Sequence, residues 1–183
     1  MTPDQYISLK QFIVDAGYAS EIDWCERIVK CDSYSCFFEE AAWVICNSGM
    51  KNQVARKIYN RIGHAILSQK PVSSVFNHKG KAGAIEYLWE NRERLFEKFL
   101  ACKNDDEILD FLETLPWIGG ITKYHLAKNL GMDVSKPDRH LVRIAKQFNT
   151  TPAELCRKIS DAIGDRVATV DYVIWRAANL GKI

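Results

Sequence analysis

Apolar positions recur at intervals of three and four along most of the chain, the period of helices that bury one face. Residues 3–17 set Tyr6, Leu9, Phe12 and Ile13 on one side and end at Gly17, and Glu21 to Lys30 repeats the pattern with Ile22, Trp24 and Ile28. From Phe37 to Asn47 almost no polar side remains (Phe37, Phe38, Ala41, Ala42, Trp43, Val44, Ile45), which marks a helix at the centre of a core. A polar turn, Asn47-Ser48-Gly49-Met50-Lys51-Asn52, precedes a helix from Gln53 to Leu67. Residues 71–80 read as a loop, and Ala82 to Ala101 as one long helix buried through Ile85, Leu88, Trp89, Leu95 and Leu100. Asp105 to Glu107 open a short helix, their charge suiting its positive end. Thr150-Thr151-Pro152 is a cap with proline in the first turn, a strong helix start, and the last helix is placed near Asp171. Strand alternation is absent, so the predicted fold class is all-α.

The stretch from Leu112 to Arg143, LETLPWIGGITKYHLAKNLGMDVSKPDRHLVR, carries the chemistry. Gly119 and Gly120 allow a tight turn and a close approach to a partner, and a helix starting near Thr122 then points its unpaired N–H groups outward. Such an end binds a phosphate. Thr122 can cap it or donate its hydroxyl, and Lys123 adds a charge. Fifteen residues after Lys123, the Pro137-Asp138 step opens another helix.

LPWIGGITKYHLAKNLG followed by KPDRHLVRIA resembles the helix-hairpin-helix of the HhH-GPD base-excision glycosylases, the superfamily of endonuclease III. Phe37 to Ile58 resembles the helix-loop-helix ahead of that hairpin, and Val170 to Gly181 the helix that closes the domain, so the resemblance spans about residues 37 to 181. It implies a two-lobed helical fold with a DNA-binding cleft between the lobes: a terminal lobe of residues 1–36 and 134–183, and a central lobe of 37–133 holding the hairpin at 107–131. Two departures stand out. Trp117 occupies the position of the hairpin's usual first glycine, so either the turn or the nearby groove contact must differ. Ile121 occupies the position of the lysine with which bifunctional members cut the strand through a Schiff base. Lys123 lies two residues further, about 200° around a helix, and reads as a phosphate contact in a monofunctional enzyme.

At 183 residues, 47% apolar and 26% charged, the chain can bury a sizeable core. No segment has a signal peptide's layout and no apolar run suits a membrane span, which places the protein in the cytoplasm, or in the nucleus of a eukaryote. The six cysteines (Cys25, Cys31, Cys36, Cys46, Cys102, Cys156) show no paired C-x-x-C spacing and are expected as reduced thiols. With no cysteine beyond Cys156, the iron-sulfur cluster of some endonuclease III relatives is not expected, nor is any other metal or cofactor. A net charge of +2 conceals a pattern. Residues 51–81 carry 7 basic and no acidic side chains, and 114–147 carry 6 and 2, whereas 1–50 carry 3 and 8 and 82–113 carry 4 and 9. Concentrated positive charge attracts a phosphate backbone.

The resemblance assigns Asp138 as the catalytic carboxylate. Cleaving an N-glycosidic bond builds positive charge on the deoxyribose, which a carboxylate at a helix N-terminus, kept ionised by the dipole, can stabilise. Aspartate is also among the best N-caps for structural reasons alone. Gly119, Gly120, Ile121, Thr122 and Lys123 are assigned to the DNA backbone. Asn47, Met50, Lys51, Asn52 and Gln53 are candidates to enter or contact the duplex where a nucleotide is flipped out, though Asn and Ser also suit an ordinary capping turn. Lys81, Arg139 and His140 are further candidate contacts. His78 reads as a plain surface residue or a backbone contact. Trp24, Tyr34, Phe37 and Trp43 are candidates for the pocket that receives the base, with Phe38 and Trp175 also available; aromatics at helical spacing equally suit a core. The expected partner is double-stranded DNA with a damaged or modified base, bound by a monomer. The alternative is a non-catalytic DNA-structure-binding protein in which Asp138 only caps.

Overall fold

The computed structural model describes residues 1–183, and it is all-helical. No helix is long and apolar enough to cross a membrane. Two compact units divide the chain, one of Met1–Lys30 with Gly131–Ile183 and the other of Cys31–Leu130.

In the terminal unit, α1 (Pro3–Ile13) starts at a Thr2/Gln5 capping box and runs through a π-helical turn, Val14–Tyr18, whose Gly17 has φ +90°. The bend leads into α2 (Ala19–Arg27). After the central unit come α9 (Arg139–Gln147), α10 (Pro152–Ile163) and α11 (Val167–Asn179). The Thr150-Thr151-Pro152 signal is met in full: Thr151 and Glu154 form a capping box, and Gly164 ends α10 in the left-handed conformation. α11 is the core helix of this unit, with Val170, Val173, Ile174 and Ala177 fully buried against Tyr6 and Ile13 of α1 and Leu141, Ile144, Cys156 and Ile159 of α9 and α10. It begins one turn earlier than Asp171, because Asp133 accepts the Ala168 N–H (3.0 Å) and so caps the first turn from a distant loop.

In the central unit, α3 (Tyr34–Asn47) packs against α4 (Asn52–Leu67), α5 (Lys79–Glu90), α6 (Arg92–Ala101) and α8 (Thr122–Asn129), with α7 (Asp105–Glu113) completing the hairpin beside α8. The apolar character of α3 reflects this central place. The single helix expected over Ala82–Ala101 is instead two, because Asn91 leaves helical geometry (φ −109°, ψ 10°) and its amide donates to the Tyr87 carbonyl at 2.8 Å, closing α5. The start moves back to Lys79 because His78 Nδ1 accepts the Lys81 N–H. Cys31 and Cys36 pair as a disulfide across the start of α3, so the expectation of six free thiols is corrected to four: Cys25, Cys46, Cys102 and Cys156. A five-residue separation brings the two sulfurs to one side of the first turn, a proximity that a search for C-x-x-C spacing does not detect.

Candidate nucleic-acid interface and carboxylate

The hairpin turn is built on the buried Leu112, Leu115 and Ile118, above which the backbone reverses. Trp117 has φ +68°, in the left-handed region that favours glycine. For a bulky side chain this costs roughly 1–3 kcal/mol. The indole lies over Gly80 so closely that a Cβ there would sit 2.6 Å from Trp117 Cζ3, and the His78 ring meets it edge-on at 4.9 Å. The turn thus carries an indole on its surface at a left-handed position. Nearly half of the residue (46%) stays exposed.

α8 begins with Ile121 at its N-cap and no side-chain cap; the Lys123 N–H is taken by the Gly119 carbonyl at 2.9 Å, which leaves the N–H groups of Gly120, Ile121 and Thr122 without a backbone acceptor. The Thr122 hydroxyl instead accepts the Gly119 N–H at 2.7 Å and closes the turn from within. Ile121 and both glycines are exposed. Lys123 does not point away from the hairpin: its Nζ donates to Glu113 at 2.5 Å, with Asp110 at 3.9 Å, both on α7. The Glu113 carboxylate holds the ammonium above the usual lysine range. A phosphate reached by Lys123 shares the ammonium with Glu113 or displaces it.

The turn between α3 and α4 leaves Gly49, Lys51, Asn52 and Gln53 exposed and Met50 half-buried, with Gly49 at φ +68°. Asn47 aims its Oδ1 inward, buried and without a partner. Beneath the turn lies Lys81, 3% exposed, donating to the carbonyls of Cys46 (3.3 Å) and Ser48 (2.5 Å). Lys81 is thereby corrected from a DNA contact to the support of this turn, and burial pushes its ammonium below the usual lysine range.

The proposed pocket aromatics fall in both units and differ in exposure. Trp24 belongs to the terminal unit and is half exposed, whereas Tyr34, Phe37 and Trp43 belong to the central unit. Phe37 is corrected to core: it is 1% exposed and packed by Phe96, Phe99 and Phe111 with centroids at 5.4–6.3 Å. Phe38 likewise packs on Trp89. One face of Trp43 is covered by Arg56 (4.1 Å) and its edge meets Tyr59, while Tyr34 is exposed with Arg92 at 5.7 Å. Trp175 packs beside Tyr172 and Arg176. A cleft in the central unit, about 390 Å³, is lined by Ile58, Arg61, Ser74, Phe76, Asn77 and His78. The sequence signal for it was a 71–80 loop inside the most basic block, too diffuse to name its lining.

In the terminal unit, Asp138 is the N-cap of α9, its Oδ1 accepting the N–H groups of His140 (2.9 Å) and Leu141 (3.1 Å). Oδ2 is engaged by neither. The approach to Asp138 is fixed by two distant side chains that sequence reading missed, one of them buried. Asp171, 2% exposed, accepts the Lys136 N–H at 3.1 Å. Arg166 donates to the carbonyls of Ile28 (2.8 Å) and Gly131 (3.0 Å). Arg139 is exposed and His140 half-buried on the first turn of α9, the Arg139 Nε reaching His140 Nε2 at 3.5 Å.

Comparison with known proteins places this architecture. The fold is one shared with solved all-helical DNA glycosylases. The chain superposes on the Methanocaldococcus jannaschii 8-oxoguanine DNA glycosylase with a TM-score of 0.72 at 17% identity, over 99% of this chain and 94% of that one. The 8-oxoguanine glycosylase/lyase of the same organism, solved with a 15mer DNA containing 8-oxoguanine, gives 0.69 at 18%, over 96% and 98%. The Thermotoga maritima 8-oxoguanine DNA glycosylase gives 0.68 at 16%, over 94% of each chain. The fold of this protein is the 8-oxoguanine DNA glycosylase fold, at near full length. No family model matches the chain, and no curated protein matches its sequence.

Proposed function

We propose that this protein is a monofunctional DNA glycosylase, which flips a damaged or modified base out of duplex DNA and hydrolyses its N-glycosidic bond. The observation that carries the reading is Asp138, held at the head of α9 through Oδ1 alone within a chain that has a DNA glycosylase fold. A carboxylate fixed through one oxygen presents the other to a reacting centre. As the C1′–N bond breaks, its electron pair leaves with the base, and Oδ2 faces the positive charge on the sugar. The oxygen of a water then bonds to C1′ and its proton passes to Oδ2 and on to solvent. The products are the free base and an abasic site. The unbonded amides at the start of α8 suit a DNA phosphate, a contact that fixes position without reading sequence.

The monofunctional assignment is supported by Ile121 in the lysine position and by the engagement of Lys123 with Glu113. Oxidised purines head the substrates to test, since the proteins of the same fold act on 8-oxoguanine. The experiment is excision from duplexes carrying oxidised, alkylated, deaminated or hypermodified bases, comparing wild type with Asp138→Asn. Strand breaks that appear only after hot alkali, and only with wild type, are the expected result. Tight, salt-sensitive binding without release of any base by either protein would favour a DNA-structure-binding module instead. A borohydride-trapped adduct lost in Lys123→Ala would replace the monofunctional reading with a lyase.

A further inference from the structure

We propose that Trp117 is a base-stacking residue that makes the hairpin prefer DNA in which the nucleotide beside the held phosphate is unpaired. The inference rests on the DNA-binding reading above and goes beyond it, because it assigns a binding role to the residue at which the hairpin departs from its usual pattern.

Glycine would occupy φ +68° without strain, yet a tryptophan stands there. The core beneath the turn does not require the indole: Leu115 and Ile118 are already 3% and 4% exposed and form the buried floor. What holds the ring is a surface cradle, Gly80 on one side with no room for a Cβ and the His78 edge on another. Strain retained at a surface position by surrounding structure points to function. The ring is thus ordered before any partner arrives, so binding it loses little rotamer freedom. It lies four residues before Ile121, the uncapped start of α8. In a paired duplex every base face is covered by its neighbours, and an aromatic ring next to the backbone can touch only sugar. An unpaired nucleotide offers a free π-face whatever its identity.

The test compares wild type, Trp117→Gly and Trp117→Phe on one fully paired duplex and on the same duplex with a single unpaired thymidine, by fluorescence anisotropy. Wild type should prefer the bulged DNA by about 10-fold or more, the range expected for one stacked base. Trp117→Gly should lose that preference, its affinity for the bulged DNA falling to that for the paired duplex. Trp117→Phe should keep most of the preference, and bulged DNA should quench indole emission in wild type but not in this variant. Trp117→Gly is compatible with the turn, so its Tm reports whether folding is intact, and Trp117→Phe gives the answer if it is not. Equal preference in wild type and Trp117→Gly, with excision and salt-sensitive binding intact, overturns this inference alone. Failure of wild type to bind either DNA overturns the DNA-binding reading with it.

Discussion

At Gly80 and Trp117 the two residues define each other. A methyl group added at Gly80 would meet the indole at 2.6 Å, so Gly80→Ala alone must displace the ring. In a Trp117→Gly background the same change meets nothing closer than ordinary van der Waals contact and gains the helix propensity of alanine in the first turn of α5, about 0.5–1 kcal/mol. A double-mutant cycle read by thermal unfolding should therefore give a coupling of about 1 kcal/mol or more, with Gly80→Ala stabilising only in the second background. Additivity of the two changes would mean the indole is not held by this cradle. Asp138 poses the opposite problem, a residue with two sufficient reasons to be present. Asparagine is as good an N-cap as aspartate, so Asp138→Asn should change stability by less than about 0.5 kcal/mol while removing the charge to which the proposed excision is assigned. Its cap was legible because Pro-Asp before an apolar-periodic run is a local signal. Asp171, Asp133 and Arg166, which fix the segment leading to it, were not, since their partners lie about 35 to 140 residues away in sequence.

Elements were legible where local chemistry decides them. The Thr151 capping box and the central, apolar α3 follow directly from neighbouring residues, whereas the break at Asn91 depends on a side-chain bond back to Tyr87 that periodicity does not register. Lys81 was misjudged for a related reason: it sits in a basic block, and only packing shows that its charge is turned inward to the end of α3. Lys81→Met should leave the carbonyls of Cys46 and Ser48 unpaired and destabilise the protein by about 1–3 kcal/mol, with faster amide exchange across residues 47–51. It should also remove a pH dependence. The folded-state pKa of Lys81 is lowered, so the unfolded chain binds the extra proton, and stability rises as pH climbs from the folded value towards the ordinary 10.5. A Tm that follows the same alkaline course in wild type and variant would exclude Lys81 as its source. In the hairpin, the bond from Lys123 to Glu113 ties α8 to α7 and competes with any phosphate. Glu113→Gln should therefore tighten binding to paired DNA and steepen its dependence on log salt by about one unit, the mark of one more neutralised phosphate. An unchanged slope would leave Lys123 a purely structural residue.

On the scale of the whole molecule, the chain passes between the two units twice, at Lys30–Cys31 and at Leu130–Gly131. Within the central unit the Cys31 N–H donates to the Leu130 carbonyl at 3.1 Å. Within the terminal unit Gly131 approaches residues 29 and 30 so closely that a Cβ would lie 2.6 Å from both Lys30 Cα and the Val29 carbonyl, at φ +96°. The obstacle is backbone on one side and conformation on the other, so a side-chain rotation cannot relieve either. Gly131→Ala should cost about 2–4 kcal/mol from strain and overpacking together, seen as a lowered Tm. The effect on function should be unequal. The α8 amides and the basic block of residues 51–81 lie in the central unit, whereas Asp138 stands seven residues after Gly131 on a segment anchored by the same Gly131 carbonyl that Arg166 holds. Below its Tm the variant should therefore keep DNA affinity within a few-fold of wild type and lose excision by a larger factor, since a displacement of the order of 1 Å at a reacting group costs about 100-fold in rate. Parallel losses of binding and excision would instead mean that Gly131 serves the stability of the chain as a whole and does not selectively position its carboxylate.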